Sequence, residues 1–171
     1  MVAALELYFD QVAERRIRVL WNALEAAGVP SLRDLAHRKH RPHLSLAVAE
    51  AFDPDAVRAA LAGLPVAPPL ALSFQSTGMF VGRVLFLGPA PTADLVAHQA
   101  AVWRRLTGAG IGVFDVYAPG QWVPHTTLSM RVPRPVLAQA LRVCLEVLPI
   151  EATLTGAAVV DQARGIDVPL P

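Results

Sequence analysis

A six-residue segment occurs twice in this chain, and the repetition limits the possible folds more than any other feature. Arg41-Pro42-His43-Leu44-Ser45-Leu46 matches Val123-Pro124-His125-Thr126-Thr127-Leu128 at a proline, a histidine, a hydroxyl and a leucine. Each copy runs on into a helical pattern that begins near a proline, then a Leu-Pro pair (Leu64-Pro65 or Leu148-Pro149), then a strand pattern. A short motif recurring once carries little weight. Recurrence together with the same succession of elements points to two similar halves.

The surrounding pattern is mixed α/β. Leu5 to Phe9 reads as a strand, and Gln11 to Ala27 as a helix with Val12, Ile17, Leu20, Trp21 and Leu24 near helical spacing. Gly28 and Pro30 stop it. His43 to Ala49 is a strand, and Asp53-Pro54 then caps and opens a helix reaching to near Leu64. Strands over Leu70–Ser76 and Val84–Leu87 flank a glycine-containing segment, and Thr92–Thr107 is a helix ended by Gly108 and Gly110. A strand over His125–Val132, a helix over Arg134–Val147 and a strand over Glu151–Asp161 complete the plan, which has at least five strands. With 54% hydrophobic and 17% charged residues in 171, the chain suits one well-filled domain, 1–171, and not a disordered one.

Several function classes are disfavoured. A net charge of +1 gives no general attraction to polyanions, so any such binding must come from a local cluster. The best is His37, Arg38, Lys39, His40 and Arg41, just ahead of His43. The long uncharged stretch after Arg58 is broken by Pro65, Pro68 and Pro69, which argues against a membrane helix. Glu6 and Asp10 arrive early and no basic segment precedes an apolar run, so no secretory signal is expected and the reading is cytoplasmic, with a monomer as default. Cys144, the only cysteine, lies in an apolar helical pattern and reads as a buried thiol. His37, His40 and His43 have metal-like spacing, but they cross from a basic loop into a strand without a carboxylate or thiolate partner, so no metal or other cofactor is expected.

The repeated motif carries chemistry because strand side chains alternate faces. His43 and Ser45 point the same way, roughly 6.6 to 6.8 Å apart along the strand, with Leu44 and Leu46 opposite. By the same alternation His125, Thr127, Ser129 and Arg131 share a face. If the halves pack about an approximate two-fold axis, two imidazoles and two hydroxyls meet in one cleft. Phosphodiester cleavage needs a base for the attacking oxygen, an acid for the leaving oxygen and donors for the nonbridging oxygens. Two histidines titrating near neutrality supply the first two, and Ser45, Thr127 and Arg131 supply donors. Tyr117 and Trp122, in the loop before the second motif, are placed to stack on a nucleobase, with packing against the sheet as the alternative, and Arg41 could reach RNA. Phe80, beside Gly78 and Gly82, could wall the cleft, though core packing is the simpler reading; Trp21 and Trp103 read as core.

With its paired His-Leu-Ser-Leu and His-Thr-Thr-Leu segments, the sequence resembles the two-histidine (2H) phosphoesterase superfamily, in particular its 2′-5′ RNA ligase-like, cyclic phosphodiesterase branch. The resemblance extends over most of the chain. It implies an α/β (α+β), bilobal fold in which two pseudo-symmetric lobes, each with an antiparallel sheet and flanking helices, enclose a central cleft. It also implies metal-independent opening of 2′,3′-cyclic phosphates to 2′-phosphates, on an RNA terminus or a small cyclic nucleotide, with His43 and His125 catalytic and Ser45 and Thr127 holding phosphate. Which histidine is base and which acid stays open at this point. The alternatives are a 2′-5′ RNA end ligase using the same residues, a nucleotide- or RNA-binding module without turnover, and a scaffold in which both histidines are structural.

Overall fold

The computed structural model describes residues 2–34 and 40–170. Its elements run β1 (Ala3–Phe9), α1 (Gln11–Ala26), β2 (His43–Ala49), α2 (Pro54–Ala60), β3 (Ala71–Phe80), β4 (Val84–Pro89), α3 (Ala93–Gly108), β5 (Thr126–Ser129), α4 (Leu137–Val147), β6 (Ile150–Asp161) and β7 (Ile166–Leu170). The order β-α-β-α-β therefore occurs twice, as β1 to β3 and as β4 to β6, and β7 is an addition.

The seven strands form one antiparallel sheet in the order β2-β1-β6-β3-β4-β5, with β7 paired to β6. Exchanging β1 with β4, β2 with β5 and β3 with β6 leaves this order unchanged when it is read from the other end. The third strand of each half pairs with the first strand of the other, β6 beside β1 and β3 beside β4. Each wing thus contains strands from both halves, and the β3–β6 pairing, from Ala71↔Thr153 to Phe74↔Ile150, joins the wings. The mixed α/β architecture is the expected one, with the strands of both wings continuous through that pairing.

The register repeats in detail. Glu6 faces Ser45 and Leu5 faces Ala47, so Leu46 is an extra residue on β2. Phe86 faces Thr127 and Leu85 faces Ser129, so Leu128 is the extra residue on β5. A bulge directly after the motif hydroxyl reverses the alternation beyond it.

Helix boundaries follow from local chemistry. The Asp10 carboxylate accepts hydrogen bonds from the Val12 and Ala13 amides and caps α1, and its second oxygen accepts from the Thr153 amide on β6. The buried stripe of α1 is Ala13, Ile17, Leu20, Trp21 and Leu24; Val12, expected on it, lies on the exposed side. Asp53 caps α2, which ends at Ala60, earlier than the sequence pattern suggests. The Thr92 hydroxyl caps α3, which buries Leu95, Gln99, Val102 and Leu106. Trp21 is fully buried, whereas Trp103 is half-buried, a correction to its reading as core. The helix expected from Arg134 opens with a 3-10 turn over Arg134–Val136 before α4.

β2 and β5 end the strand order on opposite sides, yet they contact each other, so the sheet curves to bring its edges together. Three groups donate to backbone carbonyls of β2. The Trp122 indole N–H donates to the Ser45 carbonyl (3.1 Å), the Gln99 amide to the Leu46 carbonyl (3.1 Å), and the Phe114 backbone N–H to the Val48 carbonyl (2.8 Å). Covering an edge in this way satisfies the backbone and blocks further strand addition. Among the described residues no helix is long and apolar enough to cross a membrane.

Candidate active site

His43, Ser45, His125 and Thr127 line one cavity of about 500 Å³, together with Glu6 and Tyr117. The two histidines begin β2 and precede β5, the two edge strands that the curved sheet brings together. In both motifs the histidine Nδ1 meets the carbonyl two residues upstream, Arg41 at 2.7 Å and Val123 at 2.8 Å. A carbonyl only accepts, so each Nδ1 carries hydrogen, and Nε2 is the atom left for proton transfer. The intervening residue is proline in both copies, with φ fixed and no competing backbone N–H.

The environments of the two rings differ. His125 packs edge-to-face with Phe80, centroids 4.8 Å apart at 83°, with Phe86 at 5.8 Å. The two phenyl rings stack at 4.2 Å. Burial holds His125 below the ordinary histidine value; the Val123 carbonyl pulls it up, and the charge of His43 pushes it down again. His43 Nε2 instead lies 3.6 Å from the Glu6 carboxylate, which is buried and accepts a hydrogen bond from the Tyr8 hydroxyl at 3.1 Å. Burial pushes the Glu6 carboxyl above its usual range, Asp167 adds to this, and His43, Tyr8 and Arg41 act in the opposite direction. Burial and the neighbouring Glu6 push the Tyr8 phenol up as well.

The remaining expected residues divide. Tyr117 lies in a 3-10 turn, and its carbonyl accepts from Gln99 at 2.7 Å. Its hydroxyl shares a hydrogen bond with the Ser45 side chain, and burial pushes it up to about 12. It lines both the main cavity and a neighbouring one of about 420 Å³, whose walls include Phe80, Trp122, Gln121 and His125. Trp122 thus presents its ring to the second cavity while its N–H anchors the loop to β2. Arg41 points elsewhere: its guanidinium lies 4.1 Å from the Tyr8 ring centroid and pairs with Glu14 at 3.1 Å, while its carbonyl fixes His43.

Arg131 is a correction. The shared face expected for His125, Thr127, Ser129 and Arg131 ends at the bulge on Leu128. Ser129 is consequently buried, Arg131 is exposed beyond the end of β5, and Met130 lines the cavity instead, in the position that Val48 occupies in the first half. Of the basic cluster, His37, Arg38 and Lys39 lie outside the described residues; of the three histidines with metal-like spacing, His40 and His43 are described, and both line the main cavity. Sequence reasoning missed Glu6, Tyr8 and Gln99 and undervalued Phe80 and Phe86. A carboxylate inside the otherwise apolar first strand was the available signal for Glu6.

A family model of the 2′-5′ RNA ligase superfamily matches residues 9–166. The chain belongs to that superfamily. This places it in the two-histidine phosphoesterase class of enzymes, as the paired motifs imply. No curated protein matches at the level of sequence. Solved structures show the same fold at low identity. A crystal structure of Escherichia coli LigT complexed with NADP+ is 21% identical, covering 99% of this chain and 94% of that one, with a TM-score of 0.60. A crystal structure of a phosphoesterase is also 21% identical with the same coverage and a TM-score of 0.61. Usb1 from Kluyveromyces marxianus is 12% identical, covering 99% of this chain and 98% of that one, with a TM-score of 0.52. The matched span includes the four cavity residues His43, Ser45, His125 and Thr127.

Proposed function

We propose that this protein is a metal-independent phosphodiesterase that opens 2′,3′-cyclic phosphates of nucleotides or RNA termini to 2′-phosphates, with His43 and His125 as the acid/base pair. The observation that carries the reading is the convergence of His43, Ser45, His125 and Thr127, from strands at opposite ends of the sheet order, on one cavity. One imidazole Nε2 takes a proton from water as its oxygen attacks phosphorus. The bond from phosphorus to the ribose 3′-oxygen breaks, and the other imidazole protonates that oxygen. The Ser45 and Thr127 hydroxyls hold the nonbridging oxygens as charge accumulates there. The hydrogen bond between the Tyr117 hydroxyl and the Ser45 side chain helps to fix Ser45 in the cavity. Arg131 has no part in this arrangement.

The aromatic second cavity, adjoining His125, suits a nucleobase between Phe80, Tyr117 and Trp122. Escherichia coli LigT has been crystallised with 3′-AMP and with ATP, and a ligand of nucleotide size suits the paired cavities here. The chain is read as acting in the cytoplasm as a single-domain monomer.

The test is hydrolysis of the four nucleoside 2′,3′-cyclic phosphates in EDTA by the native protein, His43→Ala and His125→Ala. EDTA-resistant turnover to a 2′-phosphate that both substitutions abolish is the expected result. A folded native protein that turns over none of the four sinks the cyclic phosphodiesterase reading and directs attention to RNA end joining, then to binding without turnover.

A further inference from the structure

Positions 6 and 86 are counterparts in the duplicated register. Each faces the motif hydroxyl across the strand pair, Glu6 opposite Ser45 and Phe86 opposite Thr127, at the same bulge. One backbone plan therefore places a carboxylate beside one histidine and an aromatic ring beside the other. His43 has committed Nδ1–H to the Arg41 carbonyl. If its ring were neutral, the Nε2 lone pair would face the Glu6 carboxylate 3.6 Å away in a largely buried setting. Two lone pairs opposed at that distance repel, and a proton on Nε2 turns the repulsion into attraction. His125 has the same Nδ1 hydrogen bond but is backed by hydrocarbon rings, which favour its uncharged form.

We propose that Glu6 is a positioning residue that keeps a proton at His43 Nε2, making His43 the proton donor of the reaction and His125 the acceptor. The assignment rests on the two-histidine reading above. In the cycle His125 Nε2 gains the proton of the attacking water and His43 Nε2–H passes its proton to the departing ribose oxygen, so the site's proton count is unchanged. The groups facing the pair are Tyr8 on β1, which donates to the second Glu6 oxygen; Asp167 on β7, which opposes the carboxylate charge; Arg41, which favours it; His125 across the cavity; and His40 and Tyr117, which line the same cavity.

The experiment uses the full chain and two readouts. In ligand-free protein, ring 15N NMR near neutral pH is expected to show His43 protonated at Nε2 and His125 bare there. Glu6→Gln should remove the His43 proton and leave His125 unchanged. With a nucleoside 2′,3′-cyclic phosphate in EDTA, Glu6→Gln should lower kcat about tenfold on the alkaline side of the pH profile, with little loss on the acid side and KM within about twofold. Tyr8→Phe leaves the carboxylate less compensated and should move the alkaline limb the other way; it also serves as the second variant should Glu6→Gln fold poorly. A kcat loss equal at every pH, or a native His43 bare at Nε2, overturns the proposal. Native protein that shows the His43 proton but no turnover would count against the phosphodiesterase reading and leave the proton assignment standing.

Discussion

The His43 and His125 sides of the cleft share a motif, an upstream proline, a carbonyl partner for Nδ1 and a bulge, but not the surface on which each ring rests. One is carboxylate and phenol, Glu6 and Tyr8; the other is stacked hydrocarbon, Phe80 and Phe86. The shared parts are backbone features, which a duplicated β-α-β-α-β unit reproduces automatically. The parts that differ are side chains on the neighbouring strand, free to change without disturbing the register. Duplication thus supplies matched geometry, and divergence of the adjacent strand supplies two different surroundings for the rings.

The comparison breaks most decisively at the histidines. His43→Ala and His125→Ala should each reduce turnover about 10² to 10⁴-fold, measured on cyclic phosphates in EDTA. If one variant retains near-native turnover, the two sides do not share one reaction. Removing the hydroxyls is expected to cost less: Ser45→Ala and Thr127→Val should each lower kcat roughly 10²-fold. Tyr117→Phe, which acts through Ser45 alone, should cost only a few-fold, a difference that steady-state kinetics can read.

Stability measurements sharpen the contrast further. A Cβ on Gly78 would lie 2.5 Å from the Phe86 ring, so Gly78→Ala should destabilise by about 1–3 kcal/mol in chemical denaturation and disturb the His125 side selectively. Asp10→Ala, outside the cavity lining, removes the α1 cap and the tie to Thr153; it should cost about 1–2 kcal/mol with turnover preserved. The two sides should also respond oppositely to pH. Burial holds His125 and His98 below the ordinary value, so the unfolded chain binds more protons in that window. The stability they contribute is complete above about pH 6.5 and is lost as pH falls through their folded values. The Glu6 carboxyl is raised, so its contribution instead diminishes as pH climbs above the ordinary carboxylate range. Glu6→Gln should therefore flatten the pH dependence of Tm in that range.

Much of the plan was legible in the chain. His43–Ala49 is a strand as the alternation predicts, and Asp53-Pro54, Thr92 and Gly28 mark helix ends through local hydrogen bonding and backbone freedom that need no distant partner. The duplication was readable from residues alone, and the convergence of the motifs followed from it on the condition that the halves pack about a two-fold axis. β7 escaped notice because Ile166–Leu170 is short and contains Pro169, which only an edge position tolerates.

Other features depend on which strand lies beside which. Alternation from His125 to Arg131 assumes an unbroken ladder, and the bulge at Leu128, visible only in the β4–β5 register, replaces Arg131 with Met130 at the cavity. Glu6 reads locally as a charge in an apolar strand, and Phe86 as an ordinary core residue. The sequence by itself determined that two imidazoles and two hydroxyls would be presented on matching strands, because period-two alternation is local. Only the tertiary structure decided what each imidazole rests against, because that depends on pairing between residues some 40 positions apart along the chain.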